Sequence, residues 1–385
     1  MLTAYLKIFA RELLRLLVRA LYVFPVKKNR VLFESFQGRS FSDNPREVWR
    51  YLSAECGDKY ECYCSLSDPS SIVSGSGPRP LRYKSLKWFM AQITSAVIVS
   101  NTLPVTVFPK RSGQLFIETW HGGGAYKTLG GDFRGYSPAQ RTMVRWNNRL
   151  LSEKIDVFLS SSAMFSDAGI ISPYGYTKNI CFTGMPRNDI FFDPARVTEA
   201  NSRVRGYYGV RSRMILYAPT WRGTNFRNTK RINTLPDFNR ILDAVPDAVI
   251  LFRRHYADKN DYTFGERIID ATGYPDMQDL LCAADILITD YSSSIWDYAL
   301  LGRPCFLYVP DLHEYENVEH GFCTPIDSWP GVVCTDMDAL YVSLSTVDPA
   351  EHRKRAADHI KALGSYENGT ACAQTAAMIR EFTGI

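Results

Sequence analysis

The chain of 385 residues carries 45 Lys+Arg against 40 Asp+Glu and is 45% hydrophobic and 22% charged. This ordinary globular balance excludes a disordered, collagen-like or low-complexity protein, and the length points to two domains of roughly 150–200 residues each. Residues 1–30 hold a local charge of +6 while the other 355 sum to −1, so the basicity is confined to one segment and no nucleic-acid-binding surface is expected.

In residues 1–28, Lys7, Arg11, Arg15 and Arg19 recur every four residues. On a helix they climb one face, with Leu6, Phe9, Ala10, Leu13, Leu14, Leu17, Leu21 and Tyr22 on the other. The arginines interrupt every apolar run short of the ~20 residues a membrane crossing needs, and no small-residue cleavage site follows. Such a helix suits the headgroup layer of an anionic membrane, as a peripheral anchor on its cytoplasmic face that can be removed without unfolding the rest. The competing expectation is a helix packed on the body with its basic face in water.

Residues 88–109 carry no charge but include Gln92, Thr94, Asn101 and Pro104, which predicts a short helix, a buried strand at Ala96–Ser100 and a loop. Further strands are predicted at Arg30–Phe33, Leu115–Glu118, Val157–Ser160 and Ile180–Thr183. A second series follows at Met214–Ala218, Ala248–Phe252, Ile286–Thr289 and Cys305–Tyr308. Strands spaced by helices make an α/β protein with parallel sheets. Two series imply two Rossmann-like domains, 29–192 and 193–385, with the last helix a candidate to return to the first. In such sheets ligands collect at the carboxyl ends of strands.

Nine cysteines include no C-x-x-C pair. Cys62 and Cys64 form a lone C-x-C beside Cys56, unlike zinc ligand pairs, so thiols in a reducing compartment are expected.

Three strand ends carry residues suited to chemistry. His121 follows a strand and precedes Gly122, Gly123 and Gly124, then Lys127, a titratable group beside backbone an anion can approach; the alternative is a structural histidine beside a turn. Arg253, Arg254 and His255 end another strand, as groups for a pyrophosphate or a leaving phosphate, or as an exposed basic turn. Thr289-Asp290-Tyr291-Ser292-Ser293-Ser294 leads into a helix bearing Asp297; its hydroxyls and free N–H groups suit a phosphate, or the serines are plain caps. Asp336-Met337-Asp338 is a D-x-D, better explained as a helix cap than as a metal site.

These elements, in this order, resemble the CDP-glycerol glycerophosphotransferase family, the teichoic acid primases and polymerases and their capsule relatives. The likeness lies in Phe33-Glu34-Ser35-Phe36-Gln37-Gly38 with Ser42-Asp43-Asn44-Pro45, in Thr119-Trp120-His121-Gly122 and in Gly184-Met185-Pro186-Arg187-Asn188-Asp189. It continues in Tyr217-Ala218-Pro219-Thr220-Trp221-Arg222, in Thr289-Asp290-Tyr291-Ser292-Ser293 with Asp297, and in Arg303-Pro304, Asp311, Tyr315 and Gly321-Phe322. Gly123-Gly124 stand where family members commonly carry Thr-Pro.

The resemblance implies a glycosyltransferase-B-type fold and transfer of an alditol phosphate from CDP-glycerol or CDP-ribitol to a lipid-linked saccharide or polymer hydroxyl, releasing CMP. It makes His121 and His255 the essential histidines, with Arg253, Arg254, Thr289, Ser292, Ser293, Ser294 and Asp297 on the donor side. Gly122, Gly123, Lys127, Arg187 and Arg222 fall on the acceptor or phosphate side. No obligatory cofactor or protein-bound metal is expected, and Mg²⁺ carried in with the substrate is compatible. Two other functions fit the same architecture: a nucleotide-sugar glycosyltransferase and a non-catalytic scaffold.

Overall fold

In a computed structural model, the structure describes residues 2–71, 77–124, 126–128, 137–220, 235–255, 258, 262–316 and 321–385. Arg222 lies outside the described residues, as do Trp221, Tyr256 and His320.

The chain divides into two units, one comprising residues 1–123, 129–189 and 366–385, the other 124–128 and 190–365. The first unit contains β1 (Lys27–Glu34), β2 (Glu61–Leu66), β3 (Arg79–Arg82), β4 (Ser95–Ser100), β5 (Leu115–Glu118), β6 (Val157–Leu159) and β7 (Asn179–Cys181). They form a parallel sheet in the order β3-β2-β1-β4-β5-β6-β7. The central strands β1 and β4 each carry a continuous apolar run because helices cover both faces; Val31, Leu32, Phe33, Val97, Ile98 and Val99 are all buried. The predicted strand pattern holds for β1 and for β4 to β7. It misses β2 and β3, whose residues Cys62, Cys64 and Pro80 do not read as strand formers.

The second unit holds β8 (Arg213–Tyr217), β9 (Ala248–Phe252), β10 (Ile268–Asp270), β11 (Ile286–Thr289), β12 (Cys305–Tyr308) and β13 (Val332–Cys334), parallel in the order β10-β9-β8-β11-β12-β13. In each sheet the strand order reverses beside the first strand, at β1/β4 and at β8/β11. That is the switch point where α/β sheets bind ligands.

The final helix, Ala371–Thr383, belongs to the first unit. Both Asp189 carboxylate oxygens accept from its first turn, from Ala371 N at 3.0 Å and Cys372 N at 2.7 Å. The Tyr60 hydroxyl meets Thr383 Oγ1 at 2.8 Å at the other end.

One expectation is overturned at the N-terminus. Leu2–Ala20 is helical, but its cations do not share a free face. Arg15 is only 5% exposed; its guanidinium donates to the Thr106 carbonyl and pairs with Glu12 at 3.2 Å and Glu153 at 3.7 Å. The exposed face is instead apolar, with Leu6, Phe9, Leu13 and Leu17 each more than half exposed. Arg15 lies midway between Arg11 and Arg19 on the strip that also buries Ala4 and Val18, so the middle of the cationic strip meets the body while the leucine stripe faces outward. No helix among the described residues is long and apolar enough to cross a membrane.

Candidate functional site

At the β1/β4 switch point, His121 lies three residues beyond β5. Its Nδ1 sits 2.7 Å from the Asn101 carbonyl, the first residue after β4. A carbonyl only accepts, so Nδ1 carries the proton and Nε2 is left as a free base. The ring stacks on Trp120 with centroids 4.5 Å apart and takes the edge of Phe36 at 5.8 Å. Desolvation lowers the His121 pKa below 6.5, against the opposing pull of the Asn101 hydrogen bond and the Asp43 charge. The neutral base therefore predominates at pH 7. Turnover should hold at neutral pH and fall along an acid limb centred below about 6.5 as His121 gains a proton, which a kcat–pH profile checks.

Three separated stretches fix this position. Asn44 Nδ2 donates to the Trp120 carbonyl at 2.8 Å, and Asn44 Oδ1 accepts from Arg187 N at 2.9 Å. Arg187 Nη1 donates to Asp43 at 2.6 Å and to the His121 carbonyl at 2.7 Å. Phe36, Gln37, Asp43 and Trp120 all adopt positive φ, between 49° and 63°. For residues with a Cβ this costs of order 1–3 kcal/mol each and persists only where surroundings over-determine it, characteristically at functional sites. Gly184, at φ +80°, lets Glu367 approach where a Cβ would come within 2.6 Å of its Oε2. Glu367 in turn accepts from Met185 N at 3.0 Å and Asn188 Nδ2 at 2.9 Å, fixing the loop that delivers Arg187.

Arg187, a candidate for substrate phosphate, is thus 5% exposed and braces the histidine loop. Gly122 and Gly123 are buried, and Ser161 Oγ donates to the Gly123 carbonyl, so protein covers much of that backbone. Lys127 belongs to the second unit, where it bridges to Phe322 and lies 5.3 Å from the Tyr315 ring centroid.

Glu118, which motif reasoning passed over, ends β5 fully buried. One carboxyl oxygen accepts from Trp120 N at 3.0 Å; the other has no partner among the described residues. Burial pushes this carboxyl well above its ordinary range and so favours its neutral form. Glu118→Gln keeps the acceptor and should preserve stability. Glu118→Ala strands the Trp120 N–H, at a cost of about 1–3 kcal/mol. Denaturant titration of the two variants checks the contrast.

In the second unit the candidates gather at the carboxyl ends of β9, β8 and β11, neighbours in the sheet. Asp290 accepts from Thr220 N with both oxygens, at 2.9 and 3.0 Å, and from Tyr291 N at 2.6 Å, shaping the turn after β11. Thr289 is buried with its hydroxyl on the Ala218 carbonyl at 2.6 Å, so it ties β11 to β8. Arg253 Nη1 donates to the carbonyls of Tyr274 at 2.6 Å and Ala271 at 3.4 Å, which anchors one end of its guanidinium. Arg254 pairs with Asp270 at 3.2 Å. His255 is half-buried three residues beyond β9.

Ser292 and Ser293 are half-buried and Ser294 is buried; Ser292 Oγ lies 3.3 Å from Ser294 N and 2.9 Å from its hydroxyl. The helix they open, Ser294–Ala299, has six residues, a short dipole, so local N–H and hydroxyl donors would carry any phosphate binding. Asp297 is buried and accepts from Gln278 Nε2 at 3.0 Å. Of the D-x-D, Asp336 caps its helix through Ala339 N at 2.8 Å, and Asp338 pairs with Arg240 at 2.7 Å. Among the described residues no three His, Cys, Asp or Glu side chains group as metal ligands.

Comparison with known proteins matches residues 16–379 to the family model described as CDP-Glycerol:Poly(glycerophosphate) glycerophosphotransferase. A teichoic acid poly(glycerol phosphate) polymerase of Bacillus spizizenii is 30% identical over 318 residues, 79% of each chain. A teichoic acid ribitol-phosphate primase of the same organism is 26% identical, over 86% of this chain and 85% of the relative. The chain spans less than half of two longer glycerol phosphate polymerases, 47% and 41%. A solved structure of the wall teichoic acid polymerase TagF superposes with a TM-score of 0.84 at 24% identity, covering 100% of this chain and 98% of that one, which shows the shared glycosyltransferase-B-like fold. With nearly the whole chain matched, this protein belongs to the CDP-glycerol:poly(glycerophosphate) glycerophosphotransferase family.

Proposed function

We propose that the chain transfers glycerol phosphate from CDP-glycerol to a hydroxyl of a lipid-linked or polymer acceptor, releasing CMP, in the synthesis of a teichoic acid-like or capsular polymer. The observation that carries this is His121: a desolvated imidazole whose tautomer is fixed by Asn101, leaving Nε2 as the base. The acceptor oxygen attacks the phosphorus bearing glycerol as Nε2 takes its proton, and the phosphorus–oxygen bond to CMP breaks. His255 and the donors of Ser292 and Ser293 neutralise the charge that develops on the departing phosphate. Family membership supports this division of roles, with Arg222 and Lys127 as further contacts to substrate phosphate. Ribitol phosphate transfer is the second reading, favoured by the match to a ribitol-phosphate primase.

Replacing Ser292 and Ser293 together with Ala should weaken CDP binding about tenfold or more, the loss expected of one or two hydrogen bonds to a charged group. Calorimetry with CDP checks this, and unchanged affinity would leave the serines as caps only.

The N-terminal helix supports, in a revised form, peripheral attachment at the cytoplasmic face of a membrane. Its outward stripe of Leu6, Phe9, Leu13 and Leu17 enters the acyl boundary, while exposed Lys7, Arg11 and Arg19 meet anionic headgroups. Leu13→Ser with Leu17→Ser should abolish co-sedimentation with phosphatidylglycerol vesicles, and high salt should weaken the wild type only partly, because burial of apolar surface is not screened.

A further inference from the structure

We propose that Arg15, on the N-terminal helix, is a positioning residue for His121, acting through the loop of residues 101–110. This rests on the assignment of His121 as the base. The loop begins at Asn101, whose carbonyl sets the His121 tautomer and whose Oδ1 accepts from Phe36 N at 2.8 Å. Its far end is held by the N-terminal segment: Arg15 Nη1 donates to the Thr106 carbonyl and Tyr22 Oη to the Pro109 carbonyl at 2.6 Å.

Between these anchors there is little slack. Thr102 folds back on Ser100, with its N 3.2 Å from Ser100 Oγ and its carbonyl 2.7 Å from the same hydroxyl. Pro104 and Pro109 restrict the backbone. Thr106 Oγ1 meets Asn147 Oδ1 at 3.3 Å, and Phe108 is buried against Trp88 and Phe89 at ring separations of 5.5 and 4.9 Å. Movement at Thr106 is therefore passed along a stiff segment to the carbonyl that orients the base.

A buried guanidinium is an expensive way to hold a helix that could dock through leucine, since charged groups must be paired when they leave water. Arg15 has that pairing from Glu12 and Glu153 and still reaches across to the loop carbonyl. The helix that presents an apolar stripe outward thus presents, on its inner face, the contact that steadies the base. A displacement of about 1 Å at a reacting group can lower turnover ~10²-fold, so a second-hand shift through this loop has room for a tenfold effect.

The test uses full-length protein with CDP-glycerol and a water-soluble acceptor analogue, reading CMP release. Arg15→Ala should lower kcat tenfold or more while KM for CDP-glycerol stays within twofold. Arg15→Lys, which keeps a cationic donor, should recover part of the loss, and Tyr22→Phe should lower kcat by a smaller factor. Wild-type kcat in folded Arg15→Ala, or a raised KM with unchanged kcat, overturns the proposal. If Arg15→Ala does not fold, wild-type kcat in both Arg15→Lys and Tyr22→Phe overturns it. His121→Ala runs alongside. Near-normal turnover there removes the assignment beneath the proposal, whereas a dead His121→Ala beside normal Arg15 and Tyr22 variants defeats the proposal alone.

Discussion

Turnover should fall by ~10²-fold or more when His121 is replaced by Ala, the scale of a lost general base, while affinity for CDP stays close to wild type. The contrast follows from position: His121 lies in the first unit, and the residues proposed to hold the nucleotide lie in the second. His255→Ala should cost a comparable factor but should also weaken CDP, because it is assigned to the leaving phosphate. Single-turnover kinetics with calorimetry separates the two roles. A folded His121→Ala variant with near-normal turnover would remove that histidine from the mechanism.

The second large effect concerns Arg187. Its side chain is 5% exposed and that of Asp43 10%, at a separation of 2.6 Å. Taking away one partner of a buried pair leaves an uncompensated charge, which costs about 3–5 kcal/mol. Arg187→Ala should therefore lower stability by that amount in denaturant titrations and silence the enzyme, since the same guanidinium holds the His121 carbonyl. Arg187→Lys should rescue little, because one ammonium cannot reproduce the planar, forked donor geometry. A silent variant of wild-type stability would instead mark Arg187 as a substrate ligand.

Much of the fold was legible because inner strands of a parallel sheet are apolar without interruption, as Val97-Ile98-Val99 and Leu287-Ile288 are. Strands β2, β3, β10 and β13 were not: β2 holds Cys62 and Cys64, β3 contains Pro80, and β10 and β13 have only three residues each. His121 and the serine turn could be found as polar residues following such strands. What they lean on could not. Asn101 also follows a strand directly, and the strand-end rule would have flagged it, but nothing in its type shows that its carbonyl, more than its amide, matters. Arginine and threonine suit phosphate by type, but type does not show that Arg187, Arg253 and Thr289 also hold Asp43 and backbone carbonyls of the protein itself. The face of the N-terminal helix was misjudged for a simpler reason. Patterning separates the cationic strip from the leucine stripe but does not show which of them meets the body, and Arg15, midway between Arg11 and Arg19, is turned inward.

Phosphotransfer from a CDP-alditol can be followed by incubating the purified full-length protein and a lipid-linked acceptor with CDP-glycerol, CDP-ribitol or UDP-sugars, and weighing the products by mass spectrometry. The expected result is CMP release and an acceptor extended by one or more glycerol phosphate units in the first reaction. Intact CDP-alditols beside UDP release and a glycosylated acceptor would contradict it.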